Sequence, residues 1–185
     1  MNEEAILKKI KENPSNFSEL FTLYYKPIFG YIFRRIAVFE DSADIASETF
    51  LKAFQHIHQF TYKGISIKVW LYRIATNEIN LHYRKEKKHR SIISQDILDH
   101  QIIFKQQLEQ DREVLEKELQ LHEQYIHVLE QLKTLPEKYQ TVIALRYFEG
   151  KDNKEIALIL DIKEGTLKSL LSRGVEKLRE KCNPL

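Results

Sequence analysis

The chain has 185 residues, 43% hydrophobic and 30% charged, which is enough apolar material for a packed core and the length of one ordinary domain or two small ones. A single cysteine, Cys182, excludes an internal disulfide framework and a cysteine-based zinc cluster, and five Gly and four Pro argue against a loop-rich all-β class. The sequence opens without a basic stretch leading into an apolar run. Its longest apolar run, residues 28–33, is far short of a membrane span, so a cytoplasmic protein without membrane insertion is expected.

The net charge of +2 is unevenly spread. Residues 1–90 carry 15 basic and 10 acidic side chains, residues 91–123 carry 3 and 8, and residues 124–185 carry 11 and 9. Of the 20 aromatic residues, 15 lie in 1–90. This reads as a basic, aromatic-rich module (1–90), an acidic linker (91–123) and a second module (124–185). A chance fluctuation among solvated faces accounts for the charge alone equally well.

Strand signals are weak and helix punctuation is frequent. Asn13-Pro14 ends a short opening helix, after which Ser15 or Ser18 can cap the next. Asp41 can cap a helix to about His58, and Ser66 one that reaches the Lys/Arg cluster at 84–90. Neither Gly nor Pro occurs between Gly64 and Pro136, so the acidic middle can be partly helical. Pro136 suits a first helical position, Gly150 a C-terminal cap, and Asp152 the cap of a short helix, 153–160, before a last helix at 164–181.

In that last pair Ile156, Ala157 and Leu160 share one face. On the final helix Leu167, Leu171, Gly174, Val175 and Leu178 form a buried stripe opposite Lys168, Ser169, Ser172, Arg173 and Lys177. Such a helix suits a DNA major groove, where Arg reads guanine and Lys or Ser contacts phosphate. A solvated basic face on an ordinary amphipathic helix fits the same pattern.

The motifs Leu135-Pro136-Glu137-Lys138-Tyr139-Gln140, Leu145-Arg146-Tyr147-Phe148-Glu149-Gly150, Lys154-Glu155-Ile156-Ala157 and Glu164-Gly165-Thr166-Leu167-Lys168-Ser169, followed by Arg173, occur in this order over about fifty residues. Together they resemble region 4 of bacterial extracytoplasmic-function (ECF) sigma factors. The resemblance implies that Lys168, Ser169, Ser172 and Arg173, with Thr166 and Lys177 beside them, face the minus-thirty-five promoter element. Leu170 stands where the family often has Arg, and Gly174 where it usually has Ala.

On the helix from Asp41, Ala46, Phe50, Ala53, Phe54 and Ile57 form an inward apolar face, while Asp44, Glu48, Leu51 and Gln55 recur on another. That strip is a docking surface or an ordinary solvated face. The string Asp44 to Phe54 resembles region 2.2 of the same family, which implies that Asp44, Ser47, Glu48, Leu51 and Gln55 bind the polymerase β′ clamp helices. Ser47 replaces the usual Gln. On the next helix Leu71, Ile74, Ala75 and Ile79 face a core, and Arg73, Asn77, Asn80, Arg84 and Lys88 line another side. Aromatic residues beside a basic helix suit single-stranded DNA, although Trp70 also reads as a core residue. Trp70 to Asn77 closely resembles regions 2.3 and 2.4, implying a minus-ten site of Phe60, Tyr62, Lys63, Trp70, Arg73, Asn77, Asn80, Arg84 and Lys88. Asn80 falls where the family often has Asp.

The expected fold is all-α: a sigma region 2 helical bundle and a sigma region 4 helix-turn-helix joined by a linker. The expected function is to direct RNA polymerase to promoters by minus-thirty-five duplex recognition and minus-ten strand capture. The implied partners are the polymerase core (β′ clamp helices and β flap), promoter DNA and an anti-sigma factor. A helix-turn-helix regulator acting without polymerase, or a degenerate sigma-like decoy that binds only proteins, are the competing readings. No Walker A loop, dinucleotide turn or nucleophile elbow occurs, and His56-x-His58 lacks further ligands. No cofactor, metal or catalytic residue is expected.

Overall fold

A computed structural model describes residues 3–60, 65–89 and 127–182. Every regular element among them is helical. The acidic linker, for which partial helix is expected, lies outside the described residues.

Helix α1 (Glu3–Glu12) carries Glu3 and Glu4 in its first turn and Lys9 and Lys11 in its last, the arrangement that opposes its dipole, and it buries Ile6, Leu7 and Ile10. Asn13 stops it by accepting the Ser15 N–H, which caps a 3₁₀ turn over Pro14–Asn16. Helix α2 (Phe17–Ile36) follows directly, so neither Ser15 nor Ser18 caps it. The Ser18 hydroxyl instead donates back to the Ser15 carbonyl. Helix α2 ends on Ala37 in the left-handed region (φ 61°), whose N–H closes the last turn on Phe33.

Helix α3 (Phe39–His56) begins three residues ahead of the start that a cap at Asp41 would give. Asp41 is therefore a first-turn acid beside Glu40, not the cap, and Val38 holds the cap position in extended conformation. Ala46, Phe50, Ala53 and Ile57 are buried as the periodicity requires, whereas Phe54, expected inward, is 43% exposed. The positions at i, i+4, i+7 and i+11 already fill the inward face, leaving Phe54 at its margin with only its edge against Phe17, ring centres 5.2 Å apart. Helix α4 (Ile67–His89) packs across α2 and α3. Its cap is Ser66, whose Oγ accepts the Lys68 N–H at 3.1 Å. Leu71, Ala75 and Ile79 enter the core, and Thr76 meets the buried Tyr31 hydroxyl at 3.0 Å. Tyr83 donates its hydroxyl to the Arg35 carbonyl, and the buried Arg35 guanidinium lies 5.7 Å from the centre of the same ring.

The second domain opens with a helical segment, α5 (127–133). Pro136 is extended and sits one residue before α6 (Glu137–Ile143), so it is the cap and not the first helical residue. Buried Gln140 ties the two helices by donating to the carbonyls of Lys133 (2.9 Å) and Leu135 (2.7 Å). Helix α6 widens into a π turn over Ala144–Phe148 and stops at Gly150 (φ 61°), where the Glu149 and Lys151 N–H groups close onto Ala144 and Leu145. Asp152 and Glu155 then form a reciprocal capping box for α7 (Asn153–Leu160). Asp161, in the left-handed region (φ 57°), turns the chain into α8 (Glu164–Cys182). Helix α8 crosses α6 at Gly174, where a Cβ would stand 3.3 Å from Tyr139 and Ile143, so a residue without one lets the helices close.

Candidate nucleic-acid interface

Helix α4 and the end of α3 enclose a cavity of about 520 Å³. Phe60 and Trp70 stand side by side on its wall, ring centres 4.9 Å apart and tilted by 38°. Arg73 and Asn77 follow one and two turns along α4 on the same wall. Four of the expected minus-ten residues, Phe60, Trp70, Arg73 and Asn77, thus meet at one cavity. Asn80 and Arg84 continue beyond it, with Arg84 exposed and its Nε donating to the Asn80 carbonyl at 3.2 Å. Lys88 belongs to α4, but its side chain, together with Tyr62 and Lys63, lies outside the described residues.

The cavity also holds residues that sequence reasoning passed over. Lys52 donates to Glu78 at 2.7 Å and lies 3.4 Å from Glu48, and both Lys52 and Glu78 line the wall. The hydrogen bond to Glu78 raises the Lys52 ammonium above the usual lysine range, against an opposing effect of partial burial. No local spacing links two positions 26 apart, so the pair has no sequence signal. The last wall residue is Leu158, contributed by α7 of the second domain.

The two domains meet around Glu149, whose side chain is 6% exposed. Arg34 of α2 donates to one carboxylate oxygen through Nε (3.1 Å) and Nη2, and the Tyr72 hydroxyl donates to the other at 2.7 Å. Burial first, then Glu149, pushes the Tyr72 phenol well above its ordinary pKa. The Lys151 ammonium stands 4.6 Å from the centre of the Tyr72 ring, its pKa lowered by burial against the pull of Glu155. At the rim Arg73 donates to Asp161 at 2.9 Å.

Two other surfaces are open. On α3, Asp44, Ser47, Glu48, Leu51 and Gln55 are all exposed, and Phe54 and Phe21 add apolar area that the sequence reading assigned to the core or left aside. On α8, Thr166, Lys168, Ser169, Ser172, Arg173 and Lys177 are all exposed, while Leu167 and Gly174 are buried and Leu171, Val175 and Leu178 partly so. Arg173 rests its Nε on the Ser169 carbonyl at 3.3 Å, leaving the rest of its guanidinium outward. Among the described residues no cluster of three His, Cys, Asp or Glu side chains is arranged to hold a metal, and no helix is long and apolar enough to cross a membrane.

Residues 20–89 match the family Sigma-70 region 2, and residues 127–178 match Sigma-70, region 4. The ECF RNA polymerase sigma factor SigW of Bacillus subtilis is 29% identical over 99% of this chain and 100% of its own length. The chain belongs to the ECF sigma factor family. The ECF RNA polymerase sigma-E factor of Haemophilus influenzae, 26% identical, aligns over 100% of this sigma factor and 97% of itself. In fold it is similar to the sigma factor RpoE solved with the anti-sigma factor NepR from Bartonella quintana, with a TM-score of 0.67, 20% identity, and coverage of 90% of this chain and 96% of that one. It is also similar to CnrH in complex with the cytosolic domain of CnrY, with a TM-score of 0.65, 16% identity, and coverage of 96% and 94%. Both likenesses span the two helical domains of this ECF sigma factor, whose family serves RNA polymerase in transcription initiation.

Proposed function

We propose that this sigma factor directs RNA polymerase core to a defined set of promoters by reading two DNA elements with two domains. The reading rests chiefly on the α4 cavity, where two aromatic rings, a guanidinium and an amide converge. An extruded base stacks on or beside the Trp70 ring, Asn77 meets its edge, and Arg73 and Arg84 follow the backbone phosphates of the unpaired minus-ten strand. Stacking of about 1–3 kcal/mol per base helps hold that strand against re-pairing. Helix α8 enters the major groove of the minus-thirty-five duplex, Arg173 reading a base while Thr166, Lys168, Ser169, Ser172 and Lys177 position on bases and phosphates.

The acidic strip of α3, Asp44, Glu48 and Gln55 around Leu51, docks on the β′ clamp helices, and the second domain reaches the β flap. The domains are taken as 1–90 and 124–185, with 91–123 as the linker. The factor works in the cytoplasm, has no catalytic chemistry of its own, and is held by an anti-sigma factor, as RpoE is by NepR in their solved complex. In vitro transcription with core enzyme on a promoter library, with and without this chain, tests the reading. New start sites sharing two spaced elements are expected, and unchanged start sites overturn it.

A further inference from the structure

Helix α1 precedes the stretch matched to Sigma-70 region 2, and the motifs quoted above give it no role. We propose that α1 is a positioning element for the minus-ten cavity, with Glu3 and Lys11 as the residues that hold its two sides in register. This rests on the reading of the α4 cavity as the minus-ten site.

Two observations at opposite ends of α1 carry it. Near its C-terminus the Lys11 ammonium donates to the Phe60 carbonyl at 3.2 Å, where the chain passes along the cavity wall. At its N-terminus Glu3 reaches the start of α4. Its Oε1 accepts the Ser66 hydroxyl at 2.7 Å and the Tyr24 hydroxyl at 3.1 Å, and its Oε2 accepts the Ile67 N–H at 3.0 Å. Ser66 is the cap of α4, so a carboxylate 64 residues away in sequence completes that cap by taking an orphan first-turn N–H and placing negative charge at the positive end of the helix. Burial and Glu3 together push the Tyr24 phenol up to about 12, so Tyr24 stays a donor to the carboxylate across the physiological range.

Phe60 and Trp70, the paired rings of the cavity, are therefore both referred to one rigid body. Phe60 is tied through Lys11, and Trp70, whose backbone N–H donates to the Ser66 carbonyl, is tied through Glu3. The two anchor residues are eight positions apart, about 12 Å along the helix at 1.5 Å per residue. Ile6, Leu7 and Ile10 seat α1 in the core between them, so its place in the fold does not depend on the polar ties. Those ties act at Phe60 and at the first turn of α4, the two places from which the paired rings project, so a shift there changes the gap between the rings.

The test uses core polymerase loaded with the full-length chain, either wild type, Glu3→Gln, Lys11→Met or the double variant. The probes are a fluorescent oligonucleotide carrying the non-template minus-ten strand of the promoter most enriched with wild type, and a set of oligonucleotides each with one minus-ten base changed. Loss of one charge-assisted hydrogen bond predicts roughly tenfold weaker binding and a flattened base preference. Affinity for core should stay at its wild-type value, while the thermal midpoint falls by only a few degrees as α4 loses part of its cap. Wild-type oligonucleotide affinity and base preference in the double variant overturn the positioning role and leave the promoter reading intact. A loss shared equally by core binding makes α1 a general stabiliser of the domain and also overturns the role. Failure of the wild type to hold any minus-ten strand overturns both readings.

Discussion

Lys52 and Glu78 show how much a single contact across helices matters. Lys52→Met leaves the Glu78 carboxylate, whose side chain is 10% exposed, without its 2.7 Å donor at the cavity wall. Truncating one partner of a buried hydrogen bond costs about 1–3 kcal/mol, read as a lower thermal midpoint at neutral pH. The pair raises the lysine pKa, so its contribution is complete below the unfolded value of 10.5 and fades as pH rises through the higher folded value. Wild type and variant midpoints should therefore converge in strong alkali, and a gap that widens there refutes the assignment. Side-chain exposure was readable in the sequence wherever helical period decides it: Asp44, Glu48, Leu51 and Gln55 are outward, and Ala46, Phe50, Ala53 and Ile57 are inward. Phe54 was not, because a large apolar residue at the margin of a filled face has no room inside. Pairs such as Lys52 with Glu78, or Tyr72 with Glu149, join positions tens of residues apart, and no local pattern encodes them.

At the scale of elements, the helix-turn-helix was the most legible part, because its stops are chemical. Asp152 with Glu155, Gly150 at positive φ, and the turn at Asp161 each have a residue type that the backbone there favours. Helix α7 spans only eight residues, so its cap carries weight. Asp152→Ala should cost about 1 kcal/mol and speed amide exchange in α7 ahead of α8, measurable by hydrogen exchange. Helix α8 presents Arg173 outward, and Arg173→Ala should weaken the preferred minus-thirty-five duplex by about 1–3 kcal/mol while leaving scrambled duplex nearly unaffected, measured by fluorescence anisotropy with the polymerase-bound factor. An equal loss on both duplexes would reduce Arg173 to a phosphate contact. The start of α3 was less legible than its middle. Several acids in a row, Glu40, Asp41 and Asp44, all suit a first turn, and the chain starts the helix at Phe39 because Ala37 has already reversed direction. The π turn at 144–148 has no compositional mark.

The whole molecule brings its domains together through contacts that no stretch of sequence announces, and the buried carboxylate of Glu149 is their centre. Glu149→Gln removes the charge that Arg34 faces and weakens the Tyr72 hydrogen bond. Hydrogen bonds to charged groups contribute about 1.5–3 kcal/mol, and the partial exposure of Arg34 points to the lower end of that range. The variant should therefore populate separated domains more than tenfold above wild type, seen as a larger radius of gyration in small-angle scattering or lower energy transfer between labels on α3 and α8. Unchanged dimensions would show that apolar packing of α7 on α4 suffices. Arg73 cannot hold Asp161 and follow a phosphate at once, and Leu158 occupies one side of the space proposed for a base. On the proposed reading, the intrinsic grip on an unpaired strand is multiplied by the fraction of molecules in which α7 has swung clear. A free pool of this factor would then coexist with exposed strands elsewhere on a chromosome without coating them, and whatever favours the swung-out state would also switch on the grip.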